Sequence, residues 1–397
     1  MDLVPYAIPF FFLAIGIELA WNAYRKAGFY RSNDAINSLS LGVLSTTSKL
    51  VLIDIAGRVY GWVQQDLAIA RWSLDGWLSL VVAFVVYDFC YYWFHRISHE
   101  RKIFWAAHVA HHQSEEYNLT TALRQTSTGF LLGWLFYIPC FLLGMPAEVF
   151  VTVASANLIY QFWVHTRFVT TLGPLENVLV TPMNHRVHHA RNPEYIDRNY
   201  GGFFILWDRM FGTYKAEDGR TPIDYGITRG LNSWNPLWAK LHVYAYMQRE
   251  TVKTPRLRDK FRIWYGRTDF VPPGVEKPPV TPGNHYDPPA SRALTAYVGV
   301  QFASLVMVGL SLTYGADQLS PFGLGLLFAY LLASLVILGW QLDRKRPRWE
   351  WARLFASLLL LALFPLPPAL QLSLSAFIVA SAFVYFMIGD KPMTAPG

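Results

Sequence analysis

The sequence predicts an all-α integral membrane protein, a transmembrane helix bundle followed by a C-terminal multi-span module. Three observations predict it. Mean hydropathy is positive, at +0.23. Only 15% of residues are charged, against about a quarter in soluble domains. Apolar stretches long enough to cross about 30 Å of hydrocarbon, at about 1.5 Å per residue, recur along the chain. They place spans at roughly 4–22, 38–62, 76–94, 129–145, 147–165, 296–315, 322–341, 352–367 and 372–389, nine in all. The fourth and fifth form a hairpin around Gly144-Met145-Pro146, and the eighth is short.

The first span is read as retained, because Met1-Asp-Leu-Val has no basic region and no small-residue cleavage site precedes Arg25-Lys26. Arg25, Lys26 and Arg31 follow it; Arg96, Arg101, Lys102 and Arg124 lie between the third and fourth spans; Arg344-Lys345-Arg346-Pro347-Arg348 lies between the seventh and eighth. With nine spans all three basic loops share one side, which the positive-inside bias makes cytoplasmic, and the polar stretch 166–293 falls there too. That arrangement suits a bacterial inner membrane or an endoplasmic reticulum. The net charge of +7 faces anionic headgroups and not nucleic acid, since the basic residues border apolar spans. Aromatic residues, 16% of the chain, cluster at span ends as anchors do. Cys90 and Cys140 lie in apolar stretches and suggest neither a disulfide framework nor a thiolate site. Residues 1–250 thus form a first membrane domain with every clustered histidine. Residues 251–293, with Pro272-Pro273, Pro278-Pro279, Pro282 and Pro288-Pro289, read as an extended linker, and 294–397 as a four-span module.

Nine of the eleven histidines lie between 95 and 189. His95 and His99 form HxxxH; His108, His111 and His112 form HxxHH; His185, His188 and His189 repeat it; His165 ends the fifth span alone. At about 100° per residue, HxxxH keeps both imidazoles within roughly 40° of one helix face, and HxxHH gathers three within an arc of about 100°. Each cluster is read as a set of nitrogen donors pointing one way. Eight or nine donors exceed the four to six that one ion takes, so two metals are expected. Imidazole suits zinc, copper, nickel and iron alike. The HExxH signature is absent, because His99-Glu100 is followed by Arg-Lys-Ile. His242 and His285 stand alone and are read as core or interfacial residues.

The HxxxH, HxxHH, HxxHH series resembles the fatty acid hydroxylase and sterol desaturase superfamily. Within it, Glu115-Glu-Tyr-Asn-Leu-Thr-Thr-Ala-Leu-Arg-Gln125, Leu158-Ile-Tyr-Gln-Phe-Trp-Val-His-Thr166, Leu172-Gly-Pro-Leu-Glu176, His185-Arg-Val-His-His189, Ile196-Asp-Arg-Asn-Tyr-Gly-Gly202, Trp207-Asp208 and Phe211-Gly-Thr213 are similar to the alkylglycerol monooxygenase family. The resemblance is dense over about 80–215 and weaker beyond 250. It implies a transmembrane stalk under a cytosolic helical cap, with a di-iron centre where they meet. The implied ligands are His95, His99, His108, His111, His112, His185, His188 and His189, with His165 as a ninth. It also implies that Glu100 orients an imidazole from behind, unless it simply pairs with Arg96 or Lys102, and it puts Asn118, Arg124 and Gln125 in a loop that contacts a cofactor or headgroup.

The implied reaction inserts oxygen from O2 into an unactivated C–H bond of a membrane lipid. In an alkylglycerol the oxidised carbon adjoins the ether oxygen, and the hemiacetal falls apart to a fatty aldehyde and a glycerol derivative. Neither a Rossmann glycine motif nor a haem-attachment pattern occurs, so electrons come from outside, from tetrahydrobiopterin by the resemblance, or from a redox protein. Hydroxylation or desaturation of a fatty acyl chain, sterol, carotenoid or headgroup is the nearest rival. A histidine-rich metal transporter is a remoter one. It predicts ionisable residues within spans, whereas here they gather at span ends, with Asp54, Arg58 and Asp88 as exceptions.

Overall fold

The computed structural model of the chain describes residues 1–51, 55–126, 128–129, 132–275, 285–345, 347–364 and 366–388. Among them the secondary structure is helical apart from three isolated β-bridges. In chain order the helices are α1 (Val4–Arg25), α2 (Ser32–Val51), α3 (Ile55–Trp62), α4 (Gly76–Glu100), α5 (Lys102–His112), α6 (Leu119–Ala122), α7 (Ile138–Leu142) and α8 (Ala147–Trp163). There follow α9 (Pro182–His188), α10 (Leu206–Phe211), α11 (Pro236–Lys253), α12 (Leu257–Tyr265), α13 (Arg292–Gly315), α14 (Pro321–Leu342), α15 (Trp349–Leu363) and α16 (Pro368–Ile388).

The chain is an integral multi-pass membrane protein, with fewer spans than the nine expected. Five helices are long and apolar enough to cross among the described residues (α1, α4, α13, α14 and α16), or six if α2 and α3 form one span. Helix length explains the difference. The 17 residues of α8 and the 15 of α15 rise only about 25 and 22 Å, short of about 30 Å. The stretch expected as 129–145 breaks into a 3-10 turn, Gly133–Tyr137, and the five residues of α7, with Pro139 in its first turn. The turn expected at Gly144 is present. Its φ is +77°, and an added Cβ would fall 2.6 Å from the Ala70 carbonyl oxygen, so only glycine fits there. With this smaller count, parity no longer fixes which membrane face carries the histidines.

The chain divides into two compact units. One is Met1–Arg31, Ile53–Leu231 and Lys240–Asn284; the other is Ser32–Leu52, Asn232–Ala239 and His285–Gly397. In the second unit α2 packs on α13 and α14, and Asn37 donates to the Trp234 carbonyl at 2.6 Å. This apolar helical unit therefore includes a segment from far earlier in the chain. Its interior also holds a polar knot: Arg353 donates to Glu350 and Gln301, Tyr297 donates to Glu350 at 2.5 Å, and Gln301 donates to Ser381 at 2.8 Å.

The first unit is built around α4, which packs on α5 and α8, while α1 packs on α8. Asp88, fully buried on α4, accepts from Asn157 Nδ2 (2.7 Å), the Phe203 and Phe204 amides (2.9 and 3.0 Å) and Trp207 Nε1 (2.9 Å). This ionisable residue within a span thus anchors the chain at the start of α10. Arg58 is exposed, and Asp54 lies outside the described residues. Cys90 and Cys140 are free thiols with their sulfurs 3.9 Å apart. In the segment expected as extended linker, residues 251–253 end α11 and 257–265 form α12, whose Ile263 and Trp264 pack with Ala106 of α5 and Met247 of α11; Pro278-Pro279 and Pro282, like Arg346, lie outside the described residues.

Candidate metal centre

Five local devices bring the histidines together. The chain breaks at Arg101, the single extended residue between α4 and α5 (φ −123°, ψ 129°), so α5 folds back on α4 and the first two clusters face each other. Thr181 caps α9 by accepting from the Asn184 amide, and Pro182 opens the helix at a position where its missing N–H costs nothing. His185, His188 and His189 then ride on that one short helix and its cap residue. His165 follows α8, its amide bonded to the Phe162 carbonyl. Asn118 caps α6 and, through Nδ2, holds the Phe29 carbonyl at 2.8 Å.

All nine clustered histidines converge, in two groups. His95, His99, His108, His112 and His188 form one; His111, His165, His185 and His189 form the other; within each group the ligand atoms lie within 4.8 Å of one another. The expectation that each HxxHH points one way is corrected here. Its i and i+4 members, His108 with His112 and His185 with His189, each serve one group, and the i+3 member, His111 or His188, serves the other. On a helix i and i+4 lie about 40° apart, while i+3 lies about 60° from the first on its other side. One helical turn therefore feeds two sites.

The chemistry of the donor set fits metal ions. Nδ1 of His95, His111, His165 and His188 meets the carbonyl oxygens of Tyr200 (2.8 Å), Arg124 (3.1 Å), Gln161 (2.7 Å) and Arg198 (3.0 Å). A carbonyl only accepts, so in these rings Nδ1 carries the proton and Nε2 presents a bare lone pair. Those lone pairs crowd one another. Nε2 of His108 is 3.1 Å from both His95 and His112. In the other group, Nε2 of His165 lies 3.1, 3.2 and 3.4 Å from His185, His189 and His111. Two ligands about 2.1 Å from a shared ion, roughly at right angles, are about 3 Å apart. Nε2 of His99 and of His188 is buried with no hydrogen-bond partner, which is costly unless a cation serves. A proton is not that cation: burial pushes His111 down to about 4, and burial with neighbouring imidazoles holds His108, His112, His165, His185, His188 and His189 well below the usual range.

The remaining expected residues lie outside the two groups. Glu100 accepts from Arg96 Nε at 2.9 Å, the plain ion pair. The carboxylate near a cluster histidine is Asp197, 3.9 Å from His99 Nδ1. Arg124 is fully buried, donating to the Ala110 carbonyl (2.7 Å) and Gln113 (3.0 Å), and contributes its own carbonyl to His111. Gln125 donates to the Ala122 carbonyl at 2.8 Å and accepts from Lys240 at 3.0 Å. His242 lies 3.4 Å from Gln113, and neither it nor His285 joins a group.

Sequence reasoning missed the turn 197–201, which sets three imidazoles of the first group through Asp197 and the Arg198 and Tyr200 carbonyls. Asp197 and Asn199 take positive φ, 60° and 57°, a conformation that Asp and Asn tolerate best after glycine. Asn199 is tied to the Asn184 and Lys215 carbonyls. Asp208 accepts from the Tyr200 and Gly201 amides at 2.7 and 2.8 Å, and burial raises it to about 6. A Cβ on Gly201 would fall 2.5 Å from the Phe204 carbonyl oxygen and one on Gly202 2.7 Å from the Tyr91 ring, which explains the paired glycines of Asn199-Tyr-Gly-Gly202. On the second group, Tyr117 stacks on His165 at 5.5 Å and donates to the Val164 carbonyl at 2.9 Å.

The fatty acid hydroxylase family model matches residues 80–213. An alkylglycerol monooxygenase of Danio rerio is 35% identical over 98% of this chain and 90% of its own length. That of Homo sapiens is 36% identical over 99% and 90%. An ornithine lipid hydroxylase of Rhizobium tropici is 30% identical over 39% of this chain and 48% of its own. No solved structure matches the chain significantly.

Proposed function

This chain belongs to the alkylglycerol monooxygenase family, and from that premise we propose that it is a membrane monooxygenase that holds two iron ions and hydroxylates the ether-linked carbon of an alkylglycerol. The observation that carries the reading is the sorting of nine imidazoles, seven of them buried, into two sets. His95, His99, His108, His112 and His188 would hold one ion, and His111, His165, His185 and His189 the other. Iron bound there would supply activation of dioxygen and the oxidation of an unactivated C–H bond.

The chain's own residues prepare the place. The carbonyls of Arg124, Gln161, Arg198 and Tyr200 fix the ring orientations, so that Nε2 and not Nδ1 faces inward. Burial disfavours protonation of His112, His165, His185, His188 and His189. A small apolar cavity of about 30 Å³ reaches His108 between Phe94, Ile103, Phe104, Ala107 and Leu132, and suits a methylene of a lipid chain. The hydroxylated ether carbon then needs no further oxidant: the hemiacetal O–H proton passes to the departing glycerol oxygen as its C–O bond breaks, leaving a fatty aldehyde. Electrons would come from tetrahydrobiopterin or a redox protein.

The choice of an ether lipid over other lipids rests on coverage. The alkylglycerol monooxygenases align along nearly the whole chain, the C-terminal unit included, whereas the ornithine lipid hydroxylase aligns over 39% of it. Purified enzyme given an alkylglycerol, O2 and reduced pterin is expected to release fatty aldehyde and free glycerol derivative. Turnover of an acyl lipid or sterol, with the alkylglycerol untouched, would reject the substrate and leave the hydroxylase reading in place.

A further inference from the structure

Helix α12 carries a feature that the oxygenase reading does not use. Its inner face, Asp259 and Ile263, is buried, and Ile263 packs with Ala106 of α5 and Met247 of α11. Its outer face exposes Leu257, Phe261 and Tyr265 at 69, 61 and 64%. Spaced i, i+4 and i+8, they form one apolar stripe. Basic residues flank it: Lys253, Arg256, Arg258, Lys260, Arg262 and Arg267 lie within 253–267, where Asp259 is the one acidic residue. Beside the stripe an open cleft of about 590 Å³ is lined by Arg101, Arg262 and Arg267, by Phe261, Tyr265, Gly266 and Phe270, and by one carboxylate, Asp269, 3.6 Å from Arg267, so that its three cations outnumber its one anion. A soluble surface has little use for three adjacent exposed apolar side chains. A bilayer interface does, with the apolar stripe in the acyl boundary and the cations among headgroups.

The height of α12 is set by backbone hydrogen bonds. Its C-terminal end is stitched to the end of the span α4: Lys102 N–H donates to the Gly266 carbonyl at 3.1 Å, and Thr268 N–H to the Glu100 carbonyl at 3.2 Å. The 25 residues of α4 rise about 37 Å, more than the roughly 30 Å of hydrocarbon, so its last turn reaches the headgroup layer. Phe261 and Tyr265 leave the protein at that level.

We propose that α12 is an interfacial helix that seats Leu257, Phe261 and Tyr265 in the bilayer and holds the phosphates of anionic phospholipids with Arg101, Arg262 and Arg267. The partner is the lipid surface, chosen by charge complementarity and by this attachment to a span. The test uses the full iron-loaded chain in nanodiscs of equimolar phosphatidylcholine and phosphatidylglycerol, with single spin labels on Leu257→Cys, Phe261→Cys and Tyr265→Cys; Cys90 and Cys140 are buried. Collisions with oxygen are expected to exceed those with a water-soluble nickel chelate at all three sites. Nickel-dominated collisions, or protection from both reagents by a covering protein, would overturn the proposal. The Arg262→Glu/Arg267→Glu variant is expected to retain several-fold less phosphatidylglycerol on extraction at unchanged iron content. Equal retention counts against the phosphate seat.

Discussion

His165→Ala is expected to lower activity by at least about 100-fold, since even residues that merely orient a metal ligand cost 10–100-fold when lost. His165 lies centrally in its group, with Nε2 within 3.4 Å of His111, His185 and His189. It also comes from a part of the chain that supplies no other cluster histidine. The five imidazoles of the first group stay intact in this variant, so iron should fall from two ions per chain to about one while the protein still extracts and folds. His242→Ala, outside both groups, should change neither quantity. Metal analysis beside the aldehyde assay reads both effects. A His165→Ala enzyme with full activity and unchanged iron would show that the second group is not a metal site.

Asp88→Leu is expected to be the most damaging change away from the histidines. Removing the carboxylate strands four donors, that of Asn157, which is buried, and those of Phe203, Phe204 and Trp207, which are half-buried. An unsatisfied buried donor costs about 1–3 kcal/mol, so the loss is a sizeable part of the roughly 5–15 kcal/mol that holds a domain folded. The variant should accumulate poorly and lose iron, because the freed segment continues directly from the turn that orients His95, His99 and His188. Asp88→Asn should fall between: it keeps one acceptor but turns a donor toward either the Phe203 and Asn157 pair or the Phe204 and Trp207 pair. Thermal unfolding in detergent, ranking the native protein above Asp88→Asn and that above Asp88→Leu, checks the order. Equal midpoints would mean that the segment is held by other means.

The histidines were legible in the sequence because ligand spacing on a helix is local. The split of each HxxHH between two groups follows from the same 100° rotation, but it shows only once the histidines of α5 and α9 meet in the fold. The orienting carbonyls of Arg124, Gln161, Arg198 and Tyr200 leave no trace in side-chain identity, since any residue supplies a carbonyl; only Asp197, Asn199 and the paired glycines hint at the turn that aims two of them. Glu100 carried two readings in the sequence, and of these the pairing with Arg96, four residues earlier on the same helix, is the contact the structure displays. Spans were overcounted where an apolar run of adequate length contained a turn, as at Gly133–Leu142, or where a buried ion pair such as Glu350–Arg353 sat in a short helix. The recruitment of α2 to the C-terminal helices depends on contacts more than two hundred residues apart in sequence, which hydropathy does not encode.

Iron stoichiometry of the native protein, extracted gently from its membrane and measured together with zinc, tests the account most directly. Two tightly held irons per chain, falling to about one on His112→Ala and likewise on His189→Ala, are the predicted result. A protein without bound metal, or one carrying a single exchangeable zinc, would contradict it.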